Sequence, residues 1–273
     1  MADIKLLALD LDGTLFNRQK VVTRENKLAL RAARDMGVKV VITTGRPLKA
    51  ISGLLEELDL ISDEDYLITF NGGLVQKTTG EILAKSELSR SQLHLLYRHL
   101  EPLALPFDVL SDGIVYSLAC RGNESHYPQA NPTLEFVTVD SFADIPENVI
   151  YNKVVSVTKP EFLDQQLLKL PKELHQYFEI FKSRDIIVEM MPKGVHKAAG
   201  LNQLVKHLGL SSENVMAMGD EENDLSMLKW AGLGVAMANG VTIAKETADA
   251  VTSRTNDESG VAEAVKKYIL EAK

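Results

Sequence analysis

The sequence predicts an α/β protein in which a parallel sheet with crossover helices is interrupted by an α+β domain. Three observations carry this prediction. Short apolar runs at 6–9, 38–43 and 66–70 alternate with helix-period segments, which is the strand–helix–strand order of a parallel sheet. Beyond Lys85 the texture changes to hairpins mixed with helices over roughly 100 residues, a domain's length. From Pro192 the alternating pattern resumes. The expected organisation is one domain from 1–84 and 190–273, with a second, inserted domain from 85–189.

Leu6–Leu9 reads as a central buried strand, and Asp10-Leu-Asp12-Gly13 follows where it leaves the core. If strand geometry persists to Asp12, the period of two puts both carboxylates on one side. Carboxylates that close repel unless one is protonated or a cation lies between them. Thr14–Val22 reads as loop and Arg24–Met36 as a helix, with Gly37 at its C′ position. Val38–Thr43 is a second strand, ending in Thr43-Thr44-Gly45-Arg46-Pro47. Pro47 suits a first helical position, and Ile51, Leu54, Leu55 and Leu58 follow at helical spacing. Tyr66–Phe70 is a third strand, closed by Asn71-Gly72-Gly73. Ligands of parallel sheets sit at the carboxyl ends of strands, where all three of these loops fall.

A hairpin is expected at 74–76 and 81–84. In the inserted block, 88–100 and 160–170 read as helices, 107–110 and 114–119 as a hairpin, 153–158 as a strand, and 178–182 and 186–191 as another hairpin. Residues 124–131 are polar and fit no element cleanly. After the block come a helix at 196–208, a strand at 215–218, and the loop Gly219-Asp220-Glu221-Glu222-Asn223-Asp224. A helix at 225–230, a strand at 233–237, a helix at 241–247, a short strand at 250–252 and a terminal helix at 261–270 complete the chain.

Composition narrows the function. The 273 residues carry 30 Lys plus Arg against 38 Asp plus Glu, a net charge of −8. That balance argues against a nucleic-acid groove or an anionic membrane surface. It leaves anionic small molecules open, since a metal and a few local cations reverse the field inside one pocket. The one cysteine, Cys120, follows a strand and reads as packing; it permits no disulfide framework. There is no signal-peptide pattern and no run of membrane-spanning length, so a cytoplasmic location is expected. A monomer or homodimer is expected.

Four strand-end clusters are chemically complementary: Asp10 with Asp12, Thr44 with Gly45 and Arg46, the Lys197 region, and Asp220 to Asp224. The aspartates offer hard oxygen ligands with no His or Cys cluster, which suits Mg²⁺. A Thr-Gly turn before a helix offers a hydroxyl and backbone N–H groups to an anion. A lysine offsets phosphate charge. Together, DxDGT, Thr-Gly-Arg, a late lysine and GDxxND resemble the haloacid dehalogenase (HAD) superfamily, and within it the Cof-type sugar-phosphate phosphatases. The resemblance covers essentially the whole chain. It implies a Rossmann-like three-layer core and an inserted α+β cap of the C2 type.

The same resemblance implies the roles. Asp10 is similar to the family nucleophile that becomes an aspartyl phosphate, and Asp12 to its general acid/base, whose backbone carbonyl also binds metal. Thr44 resembles the phosphoryl-binding residue, ahead of Thr43. Lys197 resembles the lysine that neutralises nucleophile and phosphoryl group. Asp220 resembles the third protein ligand of Mg²⁺, after Asp10 and Asp12. Asn223 is expected on phosphate, and Asp224 is expected to orient Lys197 or a metal-bound water. Gly45 and Asn71 are placed beside the phosphate, and Asn71 could also be only a turn former. Arg46 either reaches substrate or steadies local carboxylates. Ala198 departs from the family's usual Lys-Gly. His196 is open as an extra acid but reads better as a surface residue, and Glu189 is a weak candidate for substrate contact.

The function implied is hydrolysis of small phosphorylated metabolites through an aspartyl phosphate. A phosphomutase, which would return the phosphoryl group to another hydroxyl, is the nearest rival. A non-catalytic phosphometabolite-binding regulator is the rival from another class, and it has no use for a proton shuttle such as Asp12.

Overall fold

The protein's structure, a computed structural model, describes residues 3–272. The chain divides into two compact units: Met1–Arg46 with Gly53–Ala84 and His196–Lys273, and Pro47–Ser52 with Lys85–Val195.

The first unit holds an eight-stranded sheet in the order Ala250–Val251, Leu233–Ala236, Val215–Gly219, Leu6–Leu9, Lys39–Thr43, Tyr66–Thr69, Leu74–Lys77 and Ile82–Lys85. The first six run parallel, and Leu74–Lys77 turns back antiparallel on Tyr66–Thr69. Leu6–Leu9 lies between Val215–Gly219 and Lys39–Thr43, and its four side chains are completely buried. That two-sided burial is why the stretch is apolar throughout rather than alternating. The Lys197–His207 helix packs Leu201, Leu204 and Val205 against Leu6, Ala8, Val41 and Ile68. The Arg24–Asp35 helix, capped by the Thr23 side chain on Asn26 N, packs against Gly260–Val265.

The Lys197–His207 helix is held very close to the loop after the third strand. Gly72 has φ +101°, and a Cβ there would come within 2.3 Å of the His196 carbonyl oxygen. At Gly200 a Cβ would meet Ile68 Cγ2 at 2.8 Å and the Gly72 Cα at 2.9 Å. Backbone therefore lies on backbone, and Lys197, in the first turn of this helix, is carried to the carboxyl ends of the strands.

The second unit holds a six-stranded sheet ordered Phe178–Arg184, Ile187–Pro192, Lys153–Val157, Phe107–Ser111, Ile114–Leu118 and Glu135–Thr138. All its pairs are antiparallel except the last, which is parallel. One face packs Phe107, Val109, Leu118, Val154, Val188 and Met190 against Leu93, Leu96 and Leu100 of the Arg90–Leu100 helix and Leu163 of Pro160–Leu167.

Two expectations are corrected, and one strand stands where none was expected. Residues 190–195 go with the second unit, because Ile187–Pro192 is one strand paired along its length with Phe178–Arg184 and cannot be cut at 190. Pro47–Ser52 also belongs there. In place of one helix from Pro47, Leu48–Ala50 forms a 3₁₀ turn and Ser52–Glu57 a separate short helix. Glu135–Thr138, four residues of which two are apolar and three exposed, is an edge strand too short for hydrophobic patterning to reveal.

Gly200→Ala is expected to push the helix off Gly72 and to destabilise the protein by about 1–3 kcal/mol. Thermal denaturation measures this, and an unchanged melting temperature would contradict the close approach.

Candidate active site

Asp10 follows the central strand, and its backbone N–H still donates to the Met218 carbonyl at 3.0 Å. Its carboxylate meets Lys197, which is fully buried: Nζ lies 2.5 Å from Asp10 Oδ1 and 2.5 Å from Asp224 Oδ1. The other Asp224 oxygen accepts the backbone N–H groups of Asp220 at 2.8 Å and Glu221 at 3.0 Å. Asp220 Oδ1 accepts from the Thr14 hydroxyl at 2.8 Å. A Cβ at Gly13, where φ is +84°, would come within 2.1 Å of Asp220 Oδ2, so only glycine lets this carboxylate lie against the loop.

Asp10, Asp220 and Asp224 each present one oxygen within 4.8 Å of the others, and all three residues are buried. Three carboxylates against one ammonium leave negative charge unmatched. Burial, reinforced by the charges of Asp10 and Asp224, pushes Asp220 up to about 8. Asp10 is likewise raised, chiefly by burial, although Lys197 pulls the other way. Burial also works to lower Lys197, yet Asp10 and Asp224 together hold it above the usual lysine range. Crowded, buried, all-oxygen and short of positive charge, this donor set fits a small hard divalent cation.

Asp12 is placed otherwise. Its carboxylate is gripped by Arg46, with Nε 3.0 Å from Oδ2 and NH2 2.7 Å from each oxygen, and by Lys20 Nζ at 2.5 Å. Burial alone would raise Asp12, but Arg46 and Lys20 overcome it and hold the carboxyl below its ordinary range. Of the expected metal set Asp10, Asp12 and Asp220, the Asp12 side chain is therefore not in the carboxylate cluster, and Asp224 is. Any Asp12 contact with a metal falls to its backbone carbonyl. Of the two options for Arg46, the geometry is that of steadying a carboxylate.

Thr44 and Asn71 close the other side. Asn71 N donates to the Thr44 carbonyl at 2.9 Å, and Arg46 N donates to Thr44 Oγ1 at 3.2 Å. The Asn71 amide lies over Gly45, where a Cβ would be 3.1 Å from Asn71 Nδ2. Asn223 Nδ2 donates to Asn71 Oδ1 at 3.3 Å. Phe70 and Asn71 both hold left-handed backbone, φ 51° and 52°, strain of about 1–3 kcal/mol each of the kind that gathers at functional sites. The Thr43 hydroxyl is buried with no hydrogen-bond partner among the described residues.

The structure brings together Asp10, Lys197, Asp220 and Asp224, and links Thr44, Gly45, Asn71 and Asn223 by direct contact. His196 is exposed, and its Nδ1 caps the Lys197–His207 helix by accepting from Ala199 N at 3.2 Å. Ala198 is buried and its N–H donates to Ser226 Oγ at 3.3 Å, so alanine is accommodated after the lysine. Glu189 lies in the second unit, paired with Lys153. Burial pushes Cys120 up to about 12, which leaves it inert. Two contributors were missed. Thr14 stands inside DxDGT and could have been read from that motif. Lys20 has no sequence signal: a tight turn with φ +60° at Lys20 delivers it.

Comparisons with known proteins identify the family. A family model described as haloacid dehalogenase-like hydrolase matches residues 7–265. The chain belongs to that family. It is 37% identical over 274 residues to the 5-amino-6-(5-phospho-D-ribitylamino)uracil phosphatase YcsE of Bacillus subtilis (strain 168), covering 98% of this chain and 97% of that protein. Among solved structures, a haloacid dehalogenase-like hydrolase from Bacteroides thetaiotaomicron superposes with TM-score 0.84 at 30% identity, covering 97% of this chain and all of that one. The HAD subclass IIB sugar phosphatase BT4131 superposes with TM-score 0.80 at 26% identity, covering 97% and 98%. The protein is a phosphatase, and its substrate is a small phosphorylated molecule. Phosphatases of this family use a divalent metal, and the buried aspartates suit one. Among the described residues no helix is long and apolar enough to cross a membrane.

The buried carboxylates predict how stability without metal depends on pH. Unfolded, Asp220 releases its proton at the ordinary carboxylate value; folded, it holds the proton up to about 8. Its contribution is full below the lower value and lost as pH rises through the upper one. In chelator, the melting temperature should fall between about pH 4 and pH 8, a loss on the order of several kcal/mol. Added Mg²⁺ should restore it, most strongly at the alkaline end. A flat profile would contradict the crowding.

Proposed function

We propose that the protein is a Mg²⁺-dependent phosphomonoester hydrolase of small metabolites, sugar phosphates foremost, with Asp10 as the phosphoryl acceptor. The observation that carries this is the Asp10 carboxylate held at a strand end by fully buried Lys197, with Asp220 and Asp224 beside it.

Asp10, Asp220 and the Asp12 carbonyl would hold the ion, which when bound supplies positive charge against these carboxylates and the ester's phosphoryl oxygens. The Asp10 carboxylate attacks phosphorus, and the bond from phosphorus to the alcohol oxygen breaks. A proton from Asp12 goes to the departing alcohol. Water then attacks phosphorus, Asp12 takes its proton, and inorganic phosphate leaves as Asp10 is regenerated. The grip of Arg46 and Lys20 favours the ionised Asp12 that the second step needs, so the first step requires that grip to loosen. Thr44, the Gly45 backbone, Asn71 and Asn223 offer donors to the phosphoryl oxygens. Lys197 neutralises charge shared between nucleophile and phosphoryl group.

The printed names of the relatives support the substrate class: YcsE acts on a phosphorylated ribityl compound and BT4131 on sugar phosphates. We read the second unit as the domain that selects substrate, and the protein as cytoplasmic.

Asp10→Asn should lower phosphate release from any phosphomonoester by at least about 10³-fold while leaving circular dichroism native. Turnover within about tenfold of the unsubstituted protein would remove the nucleophile from the mechanism.

A further inference from the structure

The mechanism makes no use of Asn239, which follows the Leu233–Ala236 strand and ends against the loop that carries Asp12. Its Nδ2 donates to the Gly13 carbonyl at 2.7 Å, across 226 positions of sequence. Its Oδ1 accepts the Asn256 backbone N–H at 2.9 Å. An N–H only donates, so the orientation of this amide is fixed, with its nitrogen toward Gly13. Asn256 is buried, and its own Nδ2 donates to the Phe16 carbonyl at 2.8 Å. Two asparagines from the far end of the chain thus clasp residues 13–16. Asn239 is held in turn, because Ala238 N donates to Thr252 Oγ1 at 2.9 Å. Two residues on, Val241 N donates to the Asp220 carbonyl at 2.9 Å, so one short segment grips both acidic loops.

The clasp falls on the weakest point of the loop. Gly13 sits at φ +84°, and glycine resists backbone rotation least of all residues. On one side of this hinge is Asp12; on the other is Thr14, whose hydroxyl donates to Asp220 Oδ1 at 2.8 Å. Within the loop, Thr14 N and Leu15 N reach the Leu11 and Asp10 carbonyls only at 3.3 Å. The bond from Asn239 is shorter than either, and it holds the Gly13 carbonyl itself, which fixes ψ at the hinge.

We infer that Asn239 is a positioning residue for the divalent cation: by holding the Gly13 carbonyl it keeps the Asp12–Thr14 loop in register with Asp220, so that the Asp12 carbonyl and the Asp220 carboxylate meet one ion. Asn239 acts through Gly13 and is not itself a ligand. The inference rests on the metal site of the proposed function and adds to it a residue outside every motif named above. Loss of a partner that orients metal ligands costs about 10–100-fold in metal affinity.

The test is Mg²⁺ binding to chelator-stripped protein, measured by isothermal titration calorimetry without substrate and therefore apart from turnover. Asn239 is exposed, so its substitution leaves no cavity in the core. Asn239→Ala and Asn239→Asp should each raise the Mg²⁺ Kd at least about tenfold. Asn239→Asp is the sharper variant: it keeps an acceptor for the Asn256 N–H, loses the donor to Gly13 and adds a negative charge near an acidic site. Charge alone would tighten Mg²⁺ binding, whereas loss of position weakens it. A role in stability alone predicts a lower melting temperature in chelator with the Kd unchanged. A Kd within about twofold of the unsubstituted protein in both folded variants overturns the inference. Tighter binding by Asn239→Asp overturns it too, as does an unsubstituted protein that binds no Mg²⁺. Phosphate release by the unsubstituted protein is measured separately: its absence removes the phosphatase reading, and the Mg²⁺ titrations still decide this one.

Discussion

The fully buried ammonium of Lys197, shared between Asp10 and Asp224, is the interaction on which the rest of the first unit is arranged. A lysine is almost never completely buried unless paired. Here it is paired twice, and still leaves Asp220 short of a counter-charge. That shortfall is why the buried aspartates suit a divalent cation.

Several unrelated features of the chain serve that one arrangement. The parallel sheet brings Asp10 and Asp220 out of adjacent strands, because Leu6–Leu9 pairs directly with Val215–Gly219. Gly72 and Gly200 let a helix lie on a loop closely enough for Lys197 to reach the strand ends. Gly13 leaves room for Asp220, and the backbone N–H groups of Asp220 and Glu221 fix Asp224. Substituting any of these acts on the site through geometry even though none is a reacting group.

Asp10 and Asp12 are two neighbouring carboxylates in opposite environments. Asp10 sits among acids and one lysine and is raised; Asp12, two residues on, sits between Arg46 and Lys20 and is lowered. Environments that push two carboxyl groups apart are how one site holds different proton duties. The residue that completes the contrast, Lys20, lies in a turn with no motif of its own.

The strand-end aspartates, the Thr-Gly-Arg turn, the late lysine and the Gly-Asp-x-x-Asn-Asp loop were all legible in the sequence, because each is a local pattern punctuating an apolar run. Alternation of strands and helices likewise gave the parallel sheet, since that pattern is short-range. What the sequence alone left open was which partner several of these side chains meet. Whether Arg46 serves substrate or a carboxylate, whether Asp12 or Asp224 joins the carboxylate cluster, what His196 does and where Lys20 reaches are decided by contacts between segments far apart in the chain. Glu135–Thr138 and the end of the inserted unit at Val195 are decided the same way, by strand pairing that no local hydrophobic pattern encodes. Local composition sets which chemistry is on offer; tertiary packing sets the distances, and with them the charges, at which it operates.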